Sequence, residues 1–107
     1  MADKVLSLLG LARRAGKLEA GFDAAVSAAK AKKARLLLAA QDVSEKTVKN
    51  LQYEGDRVEI PTVRVKAGME ETSRACNVRA GVLAVTDQGF AAALLKELER
   101  EKEEISL

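Results

Sequence analysis

Apolar positions along the chain switch between helical spacing and short unbroken runs. Val5, Leu8, Leu9 and Leu11–Ala12 form a seam at helical spacing, predicting a helix over 3–15 with Asp3 as its cap. Arg13 and Arg14 fall in its last turn, where cations face the negative end of the helix dipole. Gly16 suits the left-handed position just past a helix end. Lys17–Ala20 is too short for another helix and predicts a brief first strand at Leu18–Ala20. Gly21 then opens a second helical pattern, Ala24, Ala25, Ala28 and Ala29, predicting a helix over 21–33 that ends in the basic run Lys30–Lys33.

The run Arg35–Ala40 is apolar after its first residue and bounded by polar residues, which predicts a strand buried on both faces. Gln41-Asp42-Val43 reads as a turn, and Ser44 caps a third helix from Glu45 to Glu54, broken by Gly55-Asp56. Beyond Pro61 the β-branched alternation Thr62–Val65 predicts a strand, and Met69–Ala75 a short helix. Gly81–Thr86 predicts a further strand. Asp87 then caps a last helix over 88–104, whose inner face is Phe90, Ala91, Leu94, Leu95 and Leu98. Strands alternating with helices make βαβ units with right-handed crossovers. The expected class is therefore α/β: a three-layer α/β/α sandwich around a mixed sheet of about four strands, in one domain spanning 1–107.

Composition narrows what such a domain can do. Aromatic residues are 3% of the chain, so the core must be built from Leu, Val and Ala, and base-stacking platforms are nearly absent. The net charge is only +2, but it is unevenly distributed. Between Arg13 and Lys49 there are nine basic residues against four acidic ones, while Glu97–Leu107 carries five acidic residues against two basic. A basic half suggests a polyanion partner, and solvated helix faces are the plainer reading of the same charges. With one cysteine there is no internal disulfide and no cysteine-based zinc cluster. The first residues fit neither a signal peptide nor a membrane span, so a cytoplasmic protein away from membranes is expected.

Covalent chemistry finds little support. The chain has no histidine, the usual general base near neutral pH. Cys76 has no histidine partner and reads as a small core residue, and Asp42, Asp56 and Asp87 sit at turns and caps. Neither phosphate-loop nor dinucleotide glycine fingerprint is present, so no enzyme, cofactor or metal is expected. What remains is a loop between two glycines, Gly16 and Gly21, leading to a helix start whose amides can approach an anion, with Lys17 beside it. Asp23 either caps that helix or accepts a hydrogen bond from a base amino group.

The run LLGLARRAGKLEAG, followed by KARLLLAAQDVSEKT, PTVRV and GVLAVTDQGFAAAL, resembles small bacterial YlxQ-type proteins. These are part of the superfamily of kink-turn RNA binders and ribosomal proteins. The resemblance covers nearly the whole chain, with its specific parts at the two ends. It implies the large-subunit ribosomal protein fold, no catalytic activity, and a structured RNA partner, ribosomal or kink-turn-containing, with no DNA partner and a monomeric protein. It also implies RNA contact by the loop and helix start from Lys17 to Asp23, including Glu19, Gly21 and Phe22. A second loop, Asn77, Val78 and Arg79, would pack on an extruded nucleotide, with Asp42 near the same surface. Lys30, Lys32 and Lys33 add basic contacts. The family pattern Gly-x-Asn-Glu-x-x-Lys is altered here, with Asp23, Ala24 and Ser27 at the Asn, Glu and Lys positions. A different reading makes the acidic last helix, Glu97–Glu104, a protein-interaction face.

Overall fold

The structure, a computed structural model, describes residues 3–106, with side chains described as far as Glu101. Glu103 and Glu104 of the acidic tail therefore lie outside the described side chains. In chain order the elements are α1 (Lys4–Arg14), β1 (Leu18–Ala20), α2 (Phe22–Lys30), β2 (Leu36–Ala39), α3 (Glu45–Arg57), β3 (Thr62–Arg64), α4 (Met69–Cys76), β4 (Val82–Val85) and α5 (Gln88–Ser106).

The helix starts follow local chemistry. Asp3 Oδ1 accepts from the amides of Val5 (2.9 Å) and Leu6 (3.3 Å). Ser44 Oγ accepts from Thr47 N at 3.2 Å, and Asp87 Oδ2 from Phe90 N at 2.9 Å. Each replaces a carbonyl that the first turn of a helix lacks.

The helix ends share one device. After α1, Gly16 takes φ 71°; its amide donates to Arg13 O and that of Lys17 to Ala12 O (3.0 and 2.8 Å). This paired closure around a left-handed residue satisfies the last carbonyls. It recurs after α2 at Lys32 (φ 60°), after α3 at Glu59 (φ 60°) and after α4 at Asn77 (φ 53°). Two boundaries differ from the sequence reading as a result. The helix α2 stops at Lys30, because Lys32 turns left-handed and leaves Lys32 and Lys33 outside it. The helix α3 runs through Gly55-Asp56 to Arg57. Gly55 is there for space: a Cβ would lie 2.5 Å from Thr62 Oγ1, 3.1 Å from Ile60 O and 3.2 Å from Leu37 Cδ1.

The sheet order is β1-β4-β2-β3, with β4 antiparallel to both neighbours and β2 parallel to β3. The strand–helix–strand unit β2-α3-β3 is thus the parallel crossover expected from alternation. The alternate residues of each central strand divide between two cores. Leu36, Leu38, Leu83 and Val85 face α1, α4 and α5, meeting Leu9, Cys76 and Leu94. Leu37, Ala39, Val82 and Ala84 face α2 and α3, meeting Ala25, Ala29 and Leu51. This is the three-layer mixed-sheet sandwich that the pattern predicted. Each sealed leucine is worth about 2 kcal/mol of burial, and on the second face alanines bring α2 close to the sheet.

Candidate nucleic-acid interface

The glycine at the start of α2 is required by its backbone. Gly21 has φ 103° and ψ 153°, a conformation that a residue with a Cβ rarely adopts, although open space surrounds it. Its amide donates to Val82 O at 2.8 Å, fixing the helix start to the first residue of β4. No side chain caps α2. Asp23, read as either a cap or a base acceptor, lies one residue inside the helix, too far along for capping. Its exposed carboxylate stands in the first turn, where it complements the dipole. The Phe22 ring is half-buried against the second core.

Three further segments meet at this end of the sheet. The amide of Ala40 donates to Gly81 O, and that of Gln41 to Ala67 O, both at 2.8 Å. Asp42 Oδ1 accepts from Met69 N at 2.8 Å, so this carboxylate begins α4. Gly81 completes the junction: a Cβ there would lie 2.9 Å from Val43 Cγ2. The lip so formed carries Gly21–Asp23, the Asp42 turn, the start of α4 and the end of the loop before β4.

That loop is held from within. Asn77 turns left-handed at the end of α4, and Val78 packs half-buried against the core. Ser73 Oγ accepts from Ala80 N (3.0 Å) and donates to Ala80 O (3.1 Å). Arg79, between these anchors, is exposed and lines a hollow of about 450 Å³ with Asp42, Met69, Glu70 and Ser73. The sequence reading named Arg79 and Asp42 but missed Met69, Glu70 and Ser73. No linear spacing marks them, since Asp42 and Met69 are joined only by the fold.

The other expected contacts are elsewhere. The carbonyl of Lys17 accepts from Thr86 N at 2.9 Å, and Arg35 N donates to Val85 O at 2.7 Å. These pairs mark the opposite end of β4. Lys30 closes α2 and Lys33 follows it, so both lie at this rear end too. Glu19 is exposed in the middle of β1. The structure therefore brings Gly21, Phe22, Asp23, Asp42 and Arg79 to one lip and separates Lys17, Lys30 and Lys33 from it. The nine residues of α2 put about 13 Å between the ends, at roughly 1.5 Å per residue.

Cys76 is sealed in the first core, where burial pushes its thiol above its ordinary value, partly offset by the Arg13 guanidinium. A thiol held protonated in this way is a poor nucleophile. Among the described residues, no cluster of three or more His, Cys, Asp or Glu could hold a metal, and no helix is long and apolar enough to cross a membrane.

Comparison with known proteins agrees with this architecture. RNA-binding protein YlxQ of Enterococcus faecium is 33% identical over 88 residues, spanning 82% of this chain and 84% of that one. RNA-binding protein YlxQ of Bacillus subtilis is 33% identical over 92 residues, spanning 86% and 92%. A solved Bacillus halodurans structure of a protein of unknown function superposes with TM-score 0.86 at 30% identity, over 92% of this chain and 99% of that one. The Giardia lamblia 15.5kD RNA binding protein superposes at 0.75 with 18% identity, over 94% and 89%, a likeness of fold. The family profile described as ribosomal protein L7Ae/L30e/S12e/Gadd45 matches residues 3–95, and the chain belongs to that family.

Proposed function

We propose that this protein binds structured RNA at the lip, without catalysis, as a cytoplasmic monomer. The observation that carries the reading is the convergence of the uncapped α2 start at Gly21 with the Arg79 hollow, on either side of the first residues of β4. Amides at a helix start favour phosphate oxygens, and the Arg79 guanidinium, which has no ion pair among the described residues, adds charge and a planar fork for phosphate or base edges. The names of the YlxQ relatives point to the same class of ligand.

The finer reading is preference for a kink-turn, a sharply bent RNA with a splayed nucleotide. A lip presenting an acceptor at Asp23 beside a hollow of about 450 Å³ suits an unstacked base next to a backbone bend. Ser27 stands one turn after Asp23, where a basic contact would otherwise reach the RNA, so selectivity rests on Asp23 and Arg79.

The test is a salt titration of binding to a kinked RNA and to a plain duplex of equal length. Tighter binding to the kinked RNA, lost in Arg79→Glu, is the expected result. Equal binding to both removes the kink-turn reading, and binding to neither at moderate salt removes RNA binding.

A further inference from the structure

The rear end of the sheet gathers cations that the lip does not use. The chain passes through it four times: from α1 to β1, from α2 to β2, from α3 to β3, and from β4 to α5. The Thr86–Lys17 and Arg35–Val85 hydrogen bonds place Lys17 and Arg35 on either side of the end of β4. Lys32 and Lys33 come from the turn just before Arg35, and all four side chains are exposed. Among the described residues the ion pairs join Arg57–Glu54, Arg64–Glu45, Arg74–Glu70 and Arg100–Glu97; none takes up these four cations.

Helix dipoles explain part of the charge here and not the rest. Arg13, Arg14 and Lys30 lie in the last turns of α1 and α2, where cations complement the carbonyl ends. Lys17, Lys32, Lys33 and Arg35 lie beyond those turns, where the dipole effect has faded. Carboxylates at this end are Glu19 on β1, Asp87 just past Thr86, which accepts from the amide of Phe90, and, facing the hollow that Lys32 and Arg35 line, Asp56 and Glu59. Packing does not demand these cations either, since each is exposed to solvent.

Resting on the RNA-binding reading above, we propose that Lys17, Lys32, Lys33 and Arg35 form a second RNA surface that holds the phosphate backbone of a duplex flanking the segment at the lip. The hollow beside α2, lined by Gly16, Glu19, Ala24, Ser27, Lys33 and Thr86, extends from this end toward the residue after Asp23. Apart from the Glu19 carboxylate, that lining is of small side chains and Lys33. Three of its four cations are lysines, point charges on flexible stems, and all four are exposed to meet phosphates, so the surface adds affinity without choosing among RNA shapes. Choice belongs to the lip.

The experiment compares wild type with a rear variant carrying Lys17→Gln, Lys32→Gln, Lys33→Gln and Arg35→Gln. A control variant carries Lys4→Gln, Lys49→Gln and Lys96→Gln, three lysines exposed elsewhere. Each is titrated with salt on a kinked RNA with long flanking duplexes and on a plain duplex of equal length. The rear variant should lower the slope of log affinity against log salt by about two or more, near one for each lost phosphate contact. It should weaken both RNAs by the same factor, and the control should change the slope by less than about one. Glu19→Gln, which removes a carboxylate beside Lys33, should tighten binding to both. An unchanged slope in the rear variant overturns the second surface while leaving the lip intact, as does an equal loss in the control. Wild type that binds neither RNA overturns the RNA-binding reading itself, and the second surface with it.

Discussion

The backbone amide of Met69 donates to Asp42 Oδ1 at 2.8 Å, a hydrogen bond between residues 27 apart in sequence. The turn after β2 thereby caps α4, and the two walls of the Arg79 hollow are tied by one carboxylate. Asp42→Ala should cost about 1 kcal/mol, the usual loss for a missing helix cap. In a domain of about 100 residues that is a melting temperature lower by roughly 4–8 °C. Asp42→Asn keeps an acceptor and should retain most of the stability. Thermal melts of both variants check this, and an Ala variant as stable as wild type would refute the capping role.

Left-handed helix ends offer a second prediction. Glu59→Gly should raise stability by about 0.5–1 kcal/mol, since glycine takes φ 60° without steric cost. Gly16→Ala should lower it by about 1 kcal/mol for the converse reason at φ 71°. Urea midpoints with unchanged slopes would isolate both effects.

Gly55→Ala provides a sharper case. Helix propensity alone would favour alanine by about 1 kcal/mol, yet the new Cβ would meet Thr62 Oγ1, the Ile60 carbonyl and Leu37. Overpacking at about 1–3 kcal/mol should prevail. The variant should be less stable in urea, and a gain would show that β3 yields freely.

The thiol of Cys76 sets a pH dependence. Its folded value is raised above 9.0 by burial, with Arg13 as the smaller opposing influence. The folded state thus holds this proton more tightly than the unfolded chain. The stability so contributed is complete below pH 9 and is lost as pH climbs through the folded value. As pH rises above 9, wild type should lose more stability than Cys76→Ala. Parallel pH curves for the two proteins would refute it. A thiol reagent should label the native protein only as fast as it opens.

Much of the fold was legible because apolar periodicity, caps and short buried runs all reported the same elements. Gly16 announced the end of α1 because glycine is the usual left-handed residue. Lys32 and Glu59 do the same work with side chains that announce nothing comparable, so the two boundaries near them were misplaced. Asn77, of the type that takes this conformation most readily after glycine, closes α4 within one residue of the expected end. Gly55 looked like a breaker because a sequence cannot distinguish a glycine needed for conformation from one needed for space. The site was legible in its parts and not in its grouping. Lys17 and Gly21 are near neighbours in sequence, but a strand lies between them and carries them to opposite ends of the sheet. Arg79 and Asp42 are distant in sequence and line the same hollow.

Ala25, Ala28 and Ala29 seat α2 directly on the sheet, and Gly21 is bonded to Val82. Such a helix sets mainly small side chains against the sheet, with the half-buried Phe22 and Val26 at its margins, and has little room to tilt. Its first turn is a fixed gauge more than a grip. On the RNA-binding reading, the partner does the bending, and differences in affinity among RNAs should measure how cheaply each one bends to fit.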